Sequence, residues 1–313
     1  MQLTRYAKFA WGVLVWNVLV VLWGAFVRAT GSGAGCGNHW PLCNGEVVPR
    51  SPQMETLVEL THRLTSGLAL IGVLVLLIWA FRAYGKGHPV RYGAVASAFF
   101  IVTESLVGAA LVLFGWVADD TSAERALVVS IHLVNTFMLL ASLAVTAWWA
   151  SNQRPIPLPG RGGLVWGLRA GLLGMLVVSV AGAITALGDT LFPPSSLAEG
   201  LRQDVDPSQH FLIQLRVWHP LLSILVGVFL IYLARLLRAQ ETTPMVNRLA
   251  GLLAVLIVVQ LAAGFINVLL LVPVWMQITH LFLADAVWLT LVWLSASVAA
   301  VPVPRFEPAV AAS

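Results

Sequence analysis

Charged side chains are scarce in this sequence. Only 10% of its 313 residues are Asp, Glu, Lys or Arg, whereas soluble domains carry roughly 25%. At the same time, 59% of the residues are hydrophobic. This balance excludes an ordinary water-soluble domain and indicates a chain that folds within a lipid bilayer.

Eight uncharged or nearly uncharged stretches are long enough to cross a bilayer, which takes about 20 apolar residues. All should be helices, because lipid offers no partner to backbone N–H and C=O groups. The sequence thus predicts an all-α, polytopic membrane protein in which Pro273 separates the last two spans. The first stretch is interpreted as a membrane anchor, not as a cleaved signal peptide. The predicted spans are approximately 9–28, 60–81, 92–117, 126–149, 165–188, 211–234, 249–272 and 275–299.

The distribution of basic residues predicts the orientation. With the N-terminus in the cytoplasm, most of the 18 Lys and Arg residues lie on the cytoplasmic side, as the positive-inside rule requires. Both termini are then cytoplasmic, and we expect a multi-pass protein of the bacterial plasma (inner) membrane. The net charge of +4 follows from this sorting. No basic loop carries the interleaved aromatic residues typical of nucleic-acid binding, so no nucleic-acid partner is predicted.

Cysteine is nearly absent, and the two that occur, Cys36 and Cys43, share the first outer loop. Because this topology places the loop in an oxidising compartment, we predict a disulfide between them. Two alternatives remain open at this stage. One is a pair of free thiols, and the other is a metal site formed by Cys36, His39 and Cys43, which lacks an obvious fourth ligand.

An internal repeat relates the first four spans to the last four. It predicts two tandem four-helix bundles, residues 1–150 and 164–313, joined by a cytoplasmic linker over 151–163. Since each half crosses the membrane an even number of times, the halves should be related by a pseudo-twofold axis along the membrane normal. The matching positions are Gly24 and Gly182, Ala25 and Ala183, His62 and His219, Glu104 and Gln260, Gly108 and Gly264, and His132 and His280.

The four repeated histidines are candidate metal ligands. His62, His132, His219 and His280 lie on even-numbered spans, about one to three turns from the outer end, and therefore at similar depth. A lone intramembrane histidine usually makes an interhelical hydrogen bond. Two imidazoles that face each other across a four-helix bundle, without thiolates or clustered carboxylates, suit haem iron instead. Two bis-histidine haem sites are predicted, and the unrepeated His39, His88 and His210 are treated as ordinary.

The two halves differ beside these histidines. Glu59 precedes His62 by one helical turn, whereas Arg216 stands in the same place before His219. A carboxyl beside an iron ligand can move protons, although Glu59 can also be read as a helix-start acid. An arginine suits a haem propionate, and Arg28 and Arg63 are further candidates for that role. We therefore expect a chemical reaction to take place at the haem of the N-terminal half, and the haem of the C-terminal half to store electrons.

Two acidic residues within the spans have no predicted role. Glu104 lies in the middle of the third span, where an unpaired charge would be costly, so we expect it to be protonated or paired. Asp285 follows His280 by five positions and is a candidate outer-shell group for that ligand.

Along essentially its whole length the sequence resembles the haem A synthases. The resemblance rests on the combined order and spacing of several motifs rather than on any one of them. The motifs are GAFVRATGSG from Gly24, Cys36, WPLC from Trp40, ELTHR from Glu59, HLVNT from His132, WHP from Trp218, and His280-Leu281. The family tends to carry an amide at the position of Glu104.

Haem A synthases convert one methyl group of haem O to a formyl group, giving haem A for a terminal oxidase. The resemblance implies that His62 and His132 flank the substrate haem O, that Glu59 assists the oxidation and that the cysteine loop covers this site. It also implies that His219 and His280 ligate a haem b cofactor, and that haem O synthase and cytochrome oxidase assembly are the functional setting.

Other functions use part of the same pattern. A diheme electron-transfer cytochrome would keep both histidine pairs without modifying its haem, and a haem transporter would exchange haem without oxidising it. A carboxylate-bridged di-iron oxygenase fits least, because the Glu-x-x-His pattern at Glu59 occurs once where that chemistry uses two copies.

Overall fold

A computed structural model of the protein describes residues 3–151, 162–240 and 243–298. In these ranges the regular structure is helical, and eight helical spans are long and apolar enough to cross a membrane. The predicted all-α, multi-pass architecture is confirmed. Most of the predicted linker, residues 152–161, and Arg154, Arg161 and Arg305 of the orientation argument lie outside the described residues.

Ten α-helices follow one another along the described chain. Two of them, α7 and α8, together form the sixth span, and the short α6 crosses nothing. The helices are α1 (Arg5–Ala29), α2 (Met54–Ala83), α3 (Pro89–Leu113), α4 (Ala123–Ala150), α5 (Gly162–Leu191), α6 (Leu197–Val205), α7 (Phe211–Arg216), α8 (Trp218–Arg238), α9 (Pro244–Leu269) and α10 (Val274–Val298).

Helix ends follow local sequence signals. The hydroxyls of Ser122 and Thr243 accept hydrogen bonds from backbone N–H groups in the first turns of α4 and α9, which satisfies donors that the helix itself leaves free. The break predicted at Pro273 is also present. There α9 ends, Leu271 and Val272 adopt positive φ angles of 59° and 55°, and α10 begins at Val274.

Two boundaries differ from the sequence prediction in ways that matter for the site. The helix α2 begins at Met54, six residues before the predicted start at 60, so Glu59 lies inside a helix rather than at its first turn. The sixth span is interrupted at Val217, where α7 ends and α8 begins. Arg216 and His219 therefore do not share one uninterrupted helix.

The neighbour order is the same in the N-terminal half (α1–α4) and the C-terminal half (α5–α10). In the first, α1 and α3 each contact both α2 and α4; in the second, α5 and α9 each contact both α8 and α10. The halves meet where α1 and α4 pack against α5 and α10. This order agrees with a tandem repeat, while the pseudo-twofold axis stays a prediction.

Tryptophans of α10 join the two halves in the described core. The Trp288 indole N–H donates to the Phe137 carbonyl at 2.8 Å, and the two rings stack with centroids 5.2 Å apart. Trp293 similarly donates to the Ala144 carbonyl at 3.3 Å. Because lipid is as apolar as these side chains, close packing and such hydrogen bonds hold the helices together.

We expect Trp288→Ala to destabilise the protein by about 3 kcal/mol, because a buried aromatic side chain and its hydrogen bond are lost together. Thermal unfolding in detergent measures the effect as a lower midpoint. Trp275→Ala, on the same helix but 61% exposed, is the matched control and should leave the midpoint within error. Equal midpoints for both variants would contradict the importance of this contact.

Candidate functional site

A large cavity extends through both halves of the bundle. Its volume is about 1660 Å³, and His62, His132, His219 and His280 all line it. Pockets for one small ligand are usually about 300 to 1,000 Å³, so this cavity exceeds the size needed for a single such ligand. The structure thus brings the four repeated histidines to one mostly apolar space.

In the C-terminal half the two imidazoles oppose each other. The ring centroids of His219 and His280 lie 6.2 Å apart, with the ring planes at 86°. Two imidazoles bonded to one metal ion at about 2 Å each would place their ring centres roughly 6 Å apart. The Nδ1 atom of His219 is 3.2 Å from the Val178 carbonyl. The other ring nitrogen, Nε2, therefore points away from that carbonyl. This spacing fits one iron between the two rings.

In the N-terminal half, His62 and His132 line the same cavity. The Nδ1 atoms of both rings are buried and make no hydrogen bond within the described residues. Carboxyl oxygen Oε1 of Glu104 lies 3.4 Å from Nδ1 of His132. Buried polar atoms normally have partners, so rings with an unpaired buried nitrogen are unusual, and both of these rings also border the open cavity.

Glycines of the neighbouring helices make room for the histidine rings. A Cβ atom on Gly24 would lie 2.9 Å from Cε1 of His62, and one on Gly182 would lie 2.9 Å from Cε1 of His219. Gly264 stands in the same relation to His280, at 3.0 Å. A glycine thus lies directly against three of the four rings, which explains why glycines and histidines repeat together in the sequence.

Glu59 lies beneath the first outer loop. Its side chain is buried, with 3% of its surface exposed. It accepts a hydrogen bond from the Cys36 backbone N–H at 2.8 Å and pairs with Arg63 one turn further along α2. The carboxyl group is therefore oriented from two sides and lines the cavity beside His62.

The loop that covers Glu59 is closed by the predicted disulfide. Cys36 and Cys43 are bonded, with Cα atoms 4.4 Å apart, which excludes the free-thiol and metal-site alternatives. Arg63 donates to the carbonyls of His39 and Leu42 at 2.6 and 2.7 Å. These bonds hold the loop on the N-terminal part of α2, where Leu42 lines the cavity.

The arginines expected at haem propionates already have protein partners. Arg28 of α1 reaches the other half, donating to Gln277 at 2.7 Å, to the Ala186 carbonyl at 2.7 Å and to Thr190 at 2.8 Å. All three predicted arginines, Arg28, Arg63 and Arg216, line the cavity. Their assignment to propionates stays a prediction.

Arg216 binds two carboxylates that sequence reasoning missed. Its guanidinium lies 3.0 Å from Asp189 of α5 and 2.6 Å from Asp204 of α6. An acidic residue near the end of an apolar span was the available signal for Asp189. The short α6 was not expected, so Asp204 could not be placed near Arg216.

His88, His210 and Asp285 do not line the cavity. His88 and His210 cap helices, accepting hydrogen bonds from the backbone N–H groups of Val90 and Leu212. Asp285 is 1% exposed, and its carboxyl oxygens make no hydrogen bond among the described residues.

We expect Gly24→Ala to displace the His62 ring and Gly182→Ala to displace the His219 ring, because each added Cβ would lie 2.9 Å from the ring. If these rings ligate haem, each variant should lower haem affinity in its own half about tenfold or more. Haem content measured by pyridine haemochrome spectra tests this. Gly12→Ala on α1, where nothing lies within 4 Å of the added atom, is the control. Unchanged haem content in both cavity variants would argue against ligation by these rings.

Comparison with known proteins finds relatives that carry two names, Protoheme IX farnesyltransferase and Heme A synthase. The chain is 56% identical over 260 residues to a protein of Thermus thermophilus named Protoheme IX farnesyltransferase, a match that covers 83% of this chain and 43% of that protein. It is 49% identical over 107 residues to the Heme A synthase of Geobacillus kaustophilus, covering 34% of each. With the Heme A synthase of Lysinibacillus sphaericus the identity is 42% over 116 residues, 37% of this chain and 38% of that protein. The matched regions thus span less than half the length of these relatives.

The family model described as Cytochrome oxidase assembly protein (COX15-CtaA) matches residues 7–292. This match covers all or most of every span and includes all four cavity histidines. The chain is therefore a member of the COX15-CtaA family of cytochrome oxidase assembly proteins.

Proposed function

We propose that this protein is a haem A synthase, which oxidises one methyl group of haem O to a formyl group through successive hydroxylations. The proposal rests on the arrangement of the four repeat-matched histidines, which line a single cavity. The ring centres of one pair, His219 and His280, are 6.2 Å apart, a distance that fits two ligands of one iron ion. Membership of the COX15-CtaA family and the similarity to proteins named Heme A synthase support it.

The reaction is assigned to the N-terminal half, with haem O between His62 and His132. In this half a buried carboxyl, Glu59, lies under a disulfide-closed loop, one helical turn before the histidine ligand. The matching place before His219 holds Arg216, whose charge is balanced by Asp189 and Asp204. Haem b held by His219 and His280 would supply electron transfer.

Glu59 is proposed to accept and release the protons of the oxidation. The Cys36 N–H and Arg63 fix its carboxyl group toward the cavity, and its burial under the loop keeps bulk water away. A positioned carboxyl next to the reacting group is the arrangement that general acid–base catalysis needs. The loop and Arg63 thus act as positioning groups for Glu59.

The setting of the reaction follows from the same proposal. Residues 1–150 would form the substrate half and 164–313 the haem b half, with both termini on the cytoplasmic side of the bacterial plasma membrane. Haem O has to come from a protein that attaches a farnesyl-derived chain to protohaem, which makes a haem O synthase the expected supplier. A relative named Protoheme IX farnesyltransferase is consistent with that setting.

Conversion of haem O by the purified protein with a reductant tests the proposal. We expect a formylated product by mass spectrometry, and His62→Ala should abolish it while leaving the spectrum of the C-terminal haem intact. The control is His88→Ala, which changes a histidine at the cytoplasmic start of α3, away from the cavity. A diheme electron-transfer cytochrome or a haem transporter would bind haem but yield no formylated haem, and this result would overturn the proposal.

Replacing Glu59 by Gln should lower turnover by about 10²- to 10⁴-fold, the usual contribution of a general acid or base. Gln keeps the shape and an acceptor for the Cys36 N–H, so haem binding in both halves should persist. Glu55→Gln, one turn earlier on α2 and exposed, removes the same charge as a control. Full activity in the Glu59 variant would show that this carboxyl takes no part in proton transfer.

A further inference from the structure

A polar network joins α3 to α4 behind His132. Glu104 is its centre, accepting hydrogen bonds from Asn135 at 2.5 Å and from the Thr136 hydroxyl. Thr103 donates to Asn135 at 2.7 Å. Asn135 and Thr136 lie on the turn of α4 that follows His132, so the network fixes the carboxyl group beside that histidine.

The same carboxyl group faces the histidine ring. Oxygen Oε1 of Glu104 is 3.4 Å from Nδ1 of His132, a buried nitrogen that has no hydrogen bond among the described residues. If His132 binds iron through Nε2, its Nδ1 carries the proton and needs an acceptor. Glu104 is the acceptor group that the structure places there.

The C-terminal half has no such network at the matching positions. There the repeat places Val259, Leu283 and Ala284 where Thr103, Asn135 and Thr136 stand. Glu104 itself is replaced by Gln260, whose amide nitrogen lies 3.2 Å from Nε2 of His280 rather than from Nδ1. His132 and His280 occupy corresponding positions on corresponding helix pairs, α3–α4 and α9–α10. The carboxyl network at these positions therefore distinguishes the N-terminal half from the C-terminal half.

We propose that Glu104 is a positioning residue that accepts the Nδ1 proton of His132 and so makes this histidine a more strongly donating iron ligand than its counterpart His280. The inference rests on the proposed function, since it takes His132 as a ligand of the substrate haem.

The chemical consequence is a difference between the two haem sites. A carboxyl group that accepts the outer ring N–H of a metal-bound histidine fixes the ring orientation and raises the basicity of the ligand. A more basic axial ligand favours the oxidised iron and lowers its reduction potential, since axial ligation and its hydrogen bonds are the main means by which a protein adjusts haem. Glu104 thus sets the N-terminal haem apart from a haem that only stores electrons.

The test is an anaerobic redox titration of the purified protein with haem b in the C-terminal half and haem O supplied to the N-terminal half. In Glu104→Gln, which installs the residue of the other half, the reduction potential of the N-terminal haem should move to a more positive value. Because Gln keeps an acceptor oxygen but loses the negative charge, the affinity for haem O should fall by less than the ten- to hundredfold that complete loss of such a partner usually causes. The potential of the C-terminal haem should not move.

The matched control is Glu124→Gln, which removes an exposed carboxyl from the first turn of α4. It should leave both potentials unchanged. An unshifted N-terminal potential and unchanged haem O affinity in Glu104→Gln would overturn the inference. A merely structural role for Glu104 would lower the thermal stability without moving the potential, and that result would overturn it as well.

A further variant and the haem uptake of the wild-type protein distinguish failure of the proposed function from failure of the role assigned to Glu104. If Glu104→Gln loses both haems, Thr136→Ala takes its place, because it removes one hydrogen bond to the carboxyl group and should give a smaller positive shift; no shift would count against the inference. If the wild-type protein takes up haem in the C-terminal half alone, the proposed function fails at its substrate site. If it takes up both and Glu104→Gln behaves as wild type, only the role of Glu104 fails.

Discussion

Polar side chains within these spans must find their partners inside the protein, because the bilayer core offers no water. Arg28 reaches acceptors in the other half, Arg216 is neutralised by two aspartates, and Glu59 is bound by a backbone N–H and Arg63. Among the described residues, several imidazole nitrogens are exceptions to this rule, and they border the large cavity. The charged groups named above are thus satisfied by the protein, whereas the four histidine rings border an open space that would admit a metal-bearing ligand, and this contrast is the physical basis of the proposed site.

The same constraint explains the disulfide-closed loop. A carboxyl near the N-terminal end of α2 would hydrate if the loop were free to move away. Arg63 prevents this by binding Glu59 on one side and two loop carbonyls on the other, while the Cys36 N–H contacts Glu59 directly. The burial of Glu59 and the position of the loop are therefore one structural feature, in which the salt bridge, the backbone hydrogen bond and the disulfide support each other.

Much of this arrangement could be predicted from the sequence, because hydropathy determines which segments enter the bilayer and the repeat equates positions across the halves. Hydropathy predicts the eight spans and Pro273 the break between the last two, while the placement of both cysteines in one loop predicts the Cys36–Cys43 disulfide; all three are confirmed. The partners of Arg216 could not be predicted, since Asp204 lies on the short α6, which has no hydrophobic signature. The start of α2 was not predicted, because residues 54–59 include two glutamates and a threonine and therefore resemble a loop. In the structure these residues form the first turns of α2.

The two halves share the glycines that pack against the histidine rings but differ in the carboxyl groups near those rings. Glycines beside the histidine rings occur on both sides, at Gly24 and Gly182 with the same 2.9 Å approach, so they belong to the scaffold that holds any ligand between the rings. The carboxyl groups do not repeat: Glu59 corresponds to Arg216 and Glu104 to Gln260. Both carboxyls line the cavity in the N-terminal half, on the neighbouring helices α2 and α3. The C-terminal half has a buried carboxyl of its own, Asp285 on α10, but its oxygens have no hydrogen bond among the described residues. Since such groups are costly in a membrane, the halves differ in the placement of their carboxyls: Glu59 and Glu104 are held by hydrogen-bond partners next to the histidines, and this favours the proposed proton handling in the N-terminal half.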